Sequence, residues 1–261
     1  MSKKPRPQTV ARANNEVKKD HSPYSPHKAK SKLTLELSIR DLPWTPRQKE
    51  FIQLALDKKV SILLVKGPAG SAKSILAVYC LLQKMKEKKI SSFSYCRVPV
   101  ESCAHGVGFL KGELVSKMQP YLAPCLSKLE ELLPPTQVTS LINDERVVGI
   151  PMGFMRGLNV TDGLLLDESQ NATVENLLLC MSRMARFSTL IICADERQSD
   201  VKNSGFTKVY NAFNTDRAKE FGIYTWEFTK DDICRSPSLA FIIDTFDEIN
   251  NLKGDWKPKE K

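Results

Sequence analysis

The sequence predicts an α/β domain in which helices cover both faces of a parallel sheet. Three observations predict this fold class. Short apolar runs alternate along the chain with longer segments of helical periodicity, a glycine-rich loop follows the first of these runs, and acidic residues follow two later ones. Nearly unbroken apolar runs are typical of strands that are buried on both faces of a parallel sheet. A chain of 261 residues is long enough to bury the core of one such domain.

The first predicted helix begins after Thr45, because the proline that follows is typical of the first turn of a helix. A later helix carries apolar residues at helical spacing and ends in a lysine-rich turn. The predicted helices are residues 47–57, 71–89, 111–133 with an interruption at Pro120, 174–185 and 237–249. The predicted strands are residues 61–65, 93–98, 147–150, 164–167, 190–194 and 223–228.

The composition divides the chain into three regions. Residues 1–32 hold nine Lys and Arg against two acidic residues, a balance of 9 − 2 = +7 out of a total net charge of +9. Because this region is also rich in proline and poor in large apolar residues, it is predicted to be a disordered basic tail. It is either an electrostatic arm for nucleic acid or a solubilising tail. Residues 33–252 are predicted to form a single domain, and residues 253–261 a polar tail.

Several classes of protein are excluded by composition. No apolar run approaches the length of a membrane span, and no apolar segment lies near the N-terminus, so we expect a soluble cytoplasmic protein without a membrane partner. The seven cysteines include no C-x-x-C pair, and two of the three histidines lie in the basic tail. These counts argue against a disulfide framework and against a zinc site.

The glycine-rich loop is residues 67–74, Gly-Pro-Ala-Gly-Ser-Ala-Lys-Ser. It matches the phosphate-binding pattern G-x-x-x-x-G-K-S/T except for an alanine at the second glycine. Two glycines free the backbone to form a nest of N–H groups, and the helix that follows offers its positive N-terminus to a phosphate. The predicted nucleotide-binding residues are Gly67, Pro68, Ala69, Gly70, Ser71, Ala72, Lys73 and Ser74.

Within this loop, three residues have specific expectations. Lys73 is predicted to contact the β- and γ-phosphates, and Ser74 to bind Mg²⁺. Ala72 is expected to lie in the right-handed first turn of the helix, where a methyl group costs the backbone little. The substitution therefore bears on nucleotide affinity more than on the identity of the loop.

Two adjacent acids end the apolar run at residues 164–166. In a phosphate-binding fold of this kind, the strand beside the loop strand places an Asp next to Mg²⁺, so Asp167 is the predicted second metal ligand. Glu168 is predicted to polarise a water molecule as the general base. The other interpretation of such a pair is a solvated turn at the end of a strand.

The strand at residues 190–194 ends in Asp195-Glu-Arg-Gln198. The neutral amide of Gln198 is suited to hold both a terminal phosphate and an attacking water, and we predict that it acts as the sensor. A surface turn is the alternative interpretation of this segment.

Together these segments resemble the PhoH-like family of P-loop ATPases, relatives of superfamily-one helicases, from Thr45 to Ile243. The segments that carry the resemblance are Gln48, residues 67–74, Arg97-Val-Pro-Val, Gly108-Phe-Leu-Lys-Gly-Glu-Leu, Met155-Arg-Gly157, Leu166-Asp-Glu-Ser-Gln-Asn171, Met181-Ser-Arg183, Asp195–Gln198, Ser204-Gly-Phe206 and Asp232-Ile-Cys-Arg235-Ser-Pro. The chain departs from the family pattern at Ala72, Ser169 and Ala194. Its length, basic tail and looser motifs resemble a phage-encoded member.

The resemblance implies a P-loop NTPase fold with a RecA- or helicase-like sheet, and it implies further site residues. Gln48 resembles the glutamine that reads adenine, so ATP is the expected nucleotide. Arg235 resembles an arginine that contacts the γ-phosphate in cis or from a neighbouring subunit, and Arg183 is a second candidate. The family is associated with hexameric rings. Arg97 and Arg156 are interpreted either as lining a nucleic-acid path or as supporting the site.

The leading hypothesis is a Mg²⁺-dependent ATPase that couples hydrolysis to the binding or unwinding of RNA or single-stranded DNA as an oligomeric ring. The alternative is a slow ATP-dependent switch or assembly factor that acts through protein partners without translocation. A small-molecule kinase ranks third, because its substrate hydroxyl would replace the activated water and the second acid would have no role.

Overall fold

The computed structural model describes residues 35–98, 114–198 and 204–234, and positions 238, 241, 242 and 245; over 114–120 it describes the backbone alone. The basic tail, the polar C-terminal tail and most of the predicted helix 237–249 lie outside these residues. None of the helices within the described ranges has the length and hydropathy needed to cross a bilayer.

Within the described residues, six strands form one sheet in which every pair is parallel. The predicted parallel sheet is therefore confirmed, and each predicted strand lies within two residues of an observed one. The strands are β1 (Ile62–Lys66), β2 (Phe93–Arg97), β3 (Val147–Gly149), β4 (Gly163–Asp167), β5 (Thr189–Ala194) and β6 (Ile223–Glu227). Their spatial order is β3-β2-β4-β5-β1-β6.

The described residues also form α-helices and short 3₁₀ turns. The helices are α1 (Pro46–Leu56), α2 (Lys73–Lys86), α3 (Leu114–Leu132), α4 (Pro135–Asn143), α5 (Val174–Met181), α6 (Phe206–Phe213) and α7 (Asp216–Glu220). The 3₁₀ turns are Met152–Gly157, Ser169–Asn171, Glu196–Gln198 and Lys230–Asp232. The proline after Thr45 lies in the first turn of α1, as predicted. Thr45 caps this helix, since its hydroxyl accepts from the Gln48 N–H and the Gln48 side chain accepts from the Thr45 N–H.

The predicted interruption of α3 at Pro120 is wrong, because the helix runs unbroken through it. A proline inside a helix removes one ladder hydrogen bond but need not end the helix when tertiary packing holds it. Leu122, Cys125, Leu129 and Leu132 lie on one face of α3 and are buried in the core. Their burial holds the helix against the sheet on the C-terminal side of the proline.

Two apolar cores lie on opposite faces of the sheet, which confirms that helices cover both. Successive residues of a strand point to opposite faces, and Leu63 and Val65 of β1 belong to one core while Leu64 belongs to the other. The first core contains buried residues of α1, α2, α3 and α4. The second contains buried residues of α5 and α6 and of the turn Met152–Gly157.

The carboxyl ends of the parallel strands meet along one edge of the sheet, called here the carboxyl edge. The opposite edge, where the strands begin, is called the amino edge. The loop at residues 67–72 leaves β1 there, and the acidic pair ends β4 there. The prediction that these two strands are neighbours is wrong, because β5 pairs with both and lies between them. The site therefore spans three strands and not two.

Candidate nucleotide-binding site

The loop between β1 and α2 is shaped by two glycines. A Cβ added at Gly67 would lie 2.7 Å from Phe228 Cβ and 3.0 Å from the Phe228 carbonyl oxygen, so a side chain does not fit there. Gly70 has a φ of 81°, in the left-handed region that favours glycine. Ser71 Oγ donates to the Pro68 carbonyl oxygen at 2.8 Å and closes the turn. These contacts fix the curvature that a phosphate nest requires.

Ala72 has φ 63° and ψ 17°, so it is left-handed. The expectation of a right-handed first turn is wrong, since Ala72 caps α2 from outside the helix and α2 begins one residue later. For an L-residue this conformation costs about 1–2 kcal/mol, which glycine does not incur. The alanine in place of the pattern's glycine therefore makes the backbone conformation of the loop less favourable.

Lys73 is the first residue of α2, and its side chain lies over the loop. Its Nζ donates to the carbonyl oxygens of Gly67 at 2.7 Å and Pro68 at 2.8 Å. Burial lowers the pKa of Lys73 from its ordinary value, and the nearby carboxylates, Asp195 foremost, partly oppose that shift. The lysine is therefore a half-buried amine with carboxylates around it.

Ser74 and Asp167 meet across the carboxyl edge. Ser74 Oγ donates to Asp167 Oδ1 at 2.8 Å, and Tyr95 Oη donates to Asp167 Oδ2 at 3.1 Å. Tyr95 is fully buried in β2, and burial together with the charge of Asp167 raises the pKa of its hydroxyl. The structure thus brings together both predicted metal ligands and adds Tyr95, which the sequence analysis missed.

The two oxygen atoms fit Mg²⁺. This ion prefers hydroxyl, carboxylate and water oxygens at about 2.0–2.1 Å in an octahedron, so neighbouring ligands lie about 2.9 Å apart. The distance of 2.8 Å between Ser74 Oγ and Asp167 Oδ1 matches that spacing. Within the described residues, no group of three or more His, Cys, Asp or Glu side chains forms a separate metal site.

Glu168 follows directly, and its carboxylate contacts one hydrogen-bond donor and one cation. Its backbone is left-handed, with φ 55° and ψ 39°, a conformation that costs a non-glycine residue about 1–3 kcal/mol and is concentrated at functional sites. Gln170 Nε2 donates to Glu168 Oε2 at 2.7 Å, and Arg97 Nη2 lies 3.6 Å from Glu168 Oε1. Gln170 Oε1 in turn accepts from the Asp195 N–H at 3.1 Å. The predicted base is therefore linked to the end of β5.

A cavity of about 520 Å³ lies over the loop and the acidic pair. Gln198, the predicted sensor, lines it, and its N–H donates to the Asp195 carbonyl oxygen at 3.0 Å. Helix α3 contributes Ser127, Lys128 and Glu131 to the wall, which the sequence analysis did not predict. No local motif marks these residues, because they reach the site only through the packing of α3.

Gln48 lies behind the wall of this cavity. It is buried, its Oε1 accepts from the Thr45 N–H, and its Nε2 donates to Cys234 Sγ at 3.2 Å. Cys234 lines the cavity, and its N–H donates to the Gly70 carbonyl oxygen. The role of Gln48 in reading adenine stays a prediction. Arg235 lies outside the described residues.

Arg183 lies at the amino edge of the sheet, away from the loop of its own chain. It stands between α5 and the start of β5, and its carbonyl oxygen accepts from the Val160 N–H at 2.8 Å. The six residues of β5 span about 20 Å, farther than an arginine side chain reaches. Within the described part of the chain, the buried Nε of Arg183 has no hydrogen-bond partner.

Comparison with known proteins places the chain in a family. A family model described as "PhoH-like protein" matches residues 42–247. A PhoH-like protein of Bacillus subtilis (strain 168) is 30% identical over 79% of this chain and 64% of that relative. PhoH-like proteins of Synechocystis sp. and Mycobacterium leprae are 26% and 27% identical over 79% and 83% of this chain, and over 62% of each relative. The chain thus spans less than two thirds of the length of these relatives.

Among solved structures, that of Pif1 helicase from Candida albicans overlaps 72% of this chain and 40% of that chain, with 17% identity and a TM-score of 0.35. A TM-score this low carries no argument about fold or function. The family model, by contrast, includes the phosphate-binding loop, the acidic pair and the end of β5, which the structure brings to one edge of the sheet. On that ground the chain belongs to the PhoH-like protein family.

Proposed function

We propose that this protein is a Mg²⁺-dependent ATPase. The observation that carries the proposal is the 2.8 Å contact between Ser74 Oγ and Asp167 Oδ1, next to the amine of Lys73. A hydroxyl, a carboxylate and a lysine at the end of a glycine-rich loop are the set of groups that hold a triphosphate with its metal ion. The cavity of about 520 Å³ is within the size range of sites for small ligands.

Each residue would have a distinct role in binding. The N–H groups of the loop and of the first turn of α2 would bind phosphate oxygens, and Lys73 would exchange its two carbonyl acceptors for them. Ser74 and Asp167 would hold Mg²⁺, which neutralises charge on the β- and γ-phosphates. Gln48 lies behind Cys234, which lines the cavity. Its amide would bind adenine after its hydrogen bond to the Cys234 sulfur is broken.

Hydrolysis would use Glu168 as the general base. Its carboxylate would accept a proton from a water molecule while the water oxygen bonds to the γ-phosphorus. The bond from that phosphorus to the β–γ bridging oxygen breaks, and ADP leaves with phosphate. Gln198 at the end of β5 would hold the water and the γ-phosphate. Positioned bases of this kind contribute about 10²–10⁴-fold to rate.

We propose that the protein couples ATP hydrolysis to the binding or unwinding of RNA or single-stranded DNA. It would do so as a ring of identical subunits. The support is the charge of residues 1–32, nine basic against two acidic, which would contact phosphates. Arg235 is the first candidate for an arginine that would contact the γ-phosphate in cis or from a neighbouring subunit. Arg183 is the second, and it lies too far from the loop of its own chain, so it would reach only the site of a neighbouring subunit.

A slow ATP-dependent switch is the second candidate function. The Lys73 amine is bonded to the carbonyl oxygens of Gly67 and Pro68, and a site whose lysine must first leave these acceptors would turn over slowly. Such a switch would act through protein partners and would not need a ring.

Phosphate release, measured with and without single-stranded RNA and DNA and alongside oligomer mass, tests the proposal. If the ATPase works on nucleic acid, the polymer is expected to stimulate phosphate release, and this stimulation is expected to weaken as the salt concentration rises. The mass of the oligomer is expected to be larger with ATP than without it. Slow ATP turnover that neither RNA nor DNA stimulates favours the switch. No phosphate release above that of the Lys73→Ala variant contradicts both.

A further inference from the structure

Arg97 reaches the acidic pair from a neighbouring strand. It is the last residue of β2, where its backbone stands opposite Asp167 of β4. The pairing continues one residue further, since the Val98 N–H donates to the Asp167 carbonyl oxygen at 3.2 Å. This register places Arg97 Nη2 3.6 Å from Glu168 Oε1. The contact is thus a consequence of strand pairing and not of a surface side chain that happens to lie nearby.

Stability alone does not account for this ion pair. The side chains of Arg97 and Glu168 are 49% and 35% exposed, and pairs this accessible to solvent contribute about 0–1 kcal/mol. Glu168 moreover holds a left-handed backbone that costs at least as much. The local geometry is therefore unfavourable or neutral for folding, which points to a use in the site.

The pair fixes the direction of the Glu168 carboxylate. Gln170 binds Oε2, and it is itself anchored by the Asp195 N–H and almost fully buried. Arg97 forms an ion pair with the other oxygen, with its Nη2 3.6 Å from Oε1. A free glutamate side chain carries roughly 1.5–2 kcal/mol of rotamer entropy, and the hydrogen bond from Gln170 together with the charge of Arg97 reduces that freedom before a substrate arrives. A misplacement of about 1 Å at a reacting group costs about 10²-fold in rate, so this restraint matters for catalysis.

We infer that Arg97 is a positioning residue that holds Glu168 in place for the activation of water. The inference rests on the proposed ATPase function. It assigns Arg97 to the hydrolysis site rather than to a nucleic-acid path, although its exposure leaves the guanidinium accessible from outside.

Three variants test the inference. Arg97→Met is expected to lower kcat about tenfold with KM for ATP within about twofold, because the base is disturbed and the nucleotide contacts are not. Arg97→Lys keeps the charge and is expected to restore most of the loss. Lys219→Met is the matched control, because Lys219 is also 49% exposed and ion-paired, with Asp216 of α7. It is expected to leave kcat unchanged.

A double-mutant cycle separates positioning from a general structural role. If Arg97 acts through Glu168, then Arg97→Met changes the residual rate of Glu168→Gln by less than about twofold, measured in single turnovers with enzyme in excess. A tenfold loss in both backgrounds overturns the inference, as does an unchanged kcat in Arg97→Met. The affinity for a fluorescent ATP analogue is expected to be equal in all Arg97 variants, and a loss of affinity also overturns it.

Failure of the proposed function gives a different pattern. In that case the wild-type protein releases phosphate no faster than Lys73→Ala, whatever residue stands at 97. Failure of the present inference alone leaves a wild-type rate that depends on Lys73 and Glu168 but not on Arg97.

Discussion

The two ends of α2 carry the same residue type in opposite settings. Lys73 begins the helix at the carboxyl edge of the sheet, and Lys84 lies near its end at the amino edge. Burial lowers the pKa of both. Lys84 donates to the Thr189 hydroxyl at 3.1 Å and is 5% exposed, whereas Lys73 lines a cavity beside Asp167 and Asp195. Desolvation of the amine is therefore common to both ends, and the cavity with its acids distinguishes the end at Lys73.

The largest difference in ATP binding is expected when each lysine is removed. Lys73→Ala deletes the amine beside the phosphate nest and is expected to weaken ATP binding about 100-fold, because a hydrogen bond to a charged group contributes roughly 1.5–3 kcal/mol. Turnover falls with it. Lys84→Met replaces a buried amine by a thioether of similar length and is expected to leave binding within twofold. Titration calorimetry with ATP checks both, and equal effects of the two substitutions would erase the distinction between the two ends of α2.

A glutamate at each edge of the sheet, Glu168 and Glu87, allows the same comparison. Glu168→Gln is expected to lower turnover about 10²–10⁴-fold while ATP binding is retained, because the amide cannot accept the proton of the attacking water. Glu87→Gln at the amino edge breaks an ion pair with Lys89 and is expected to change neither. Phosphate release and ATP affinity, measured on both variants, separate the outcomes. Normal turnover in Glu168→Gln would remove this residue from the role of base.

The pH dependence of stability is expected to reveal Lys84. Its pKa is lowered from 10.5 by burial, so between the lowered value and 10.5 the unfolded chain binds more protons than the folded one. The contribution of Lys84 to the free energy of unfolding therefore rises with pH across this window. Subtracting the Lys84→Met curve from the wild-type curve, each from urea unfolding at several pH values, isolates that rise. A difference that is flat over the window would mean that Lys84 is protonated equally in both states.

The smallest expected effect concerns the left-handed residues at the two ends of α2, Ala72 and Lys88, with φ 63° and 59°. Glycine relieves strain at either position but adds entropy to the unfolded chain, so Ala72→Gly and Lys88→Gly are each expected to stabilise the protein by about 0.5–1 kcal/mol. Thermal unfolding measures this. Activity is expected to persist in Ala72→Gly, and its complete loss would mean that the loop geometry is misassigned.

Local motifs made part of this site predictable. The loop, the acidic pair and the end of β5 each lie within a few residues of a strand end, and parallel strands bring such ends to one edge. The conformation of Ala72 was not predictable, because the path of the loop depends on distant residues. Phe228 packs against Gly67, and the Cys234 N–H binds the Gly70 carbonyl oxygen.

Other features depend on which elements become neighbours. The position of β5 between β1 and β4 follows from the pairing of whole strands, and no single segment encodes it. Tyr95 reaches Asp167 across two paired strands, and its only local signal is a hydroxyl within an apolar run. The short helices α4, α6 and α7 have too few turns to give a clear periodicity.

The central claim is that Ser74 and Asp167 hold Mg²⁺ for a nucleotide, and the Mg²⁺ dependence of ATP binding tests it most directly. Titration calorimetry of the wild-type protein and of Asp167→Asn, with and without Mg²⁺, separates the metal from the phosphate contacts. We predict that Mg²⁺ strengthens ATP binding about tenfold or more in the wild type and by less than twofold in Asp167→Asn. Equal strengthening in both proteins would contradict the assignment of this pair as the metal site.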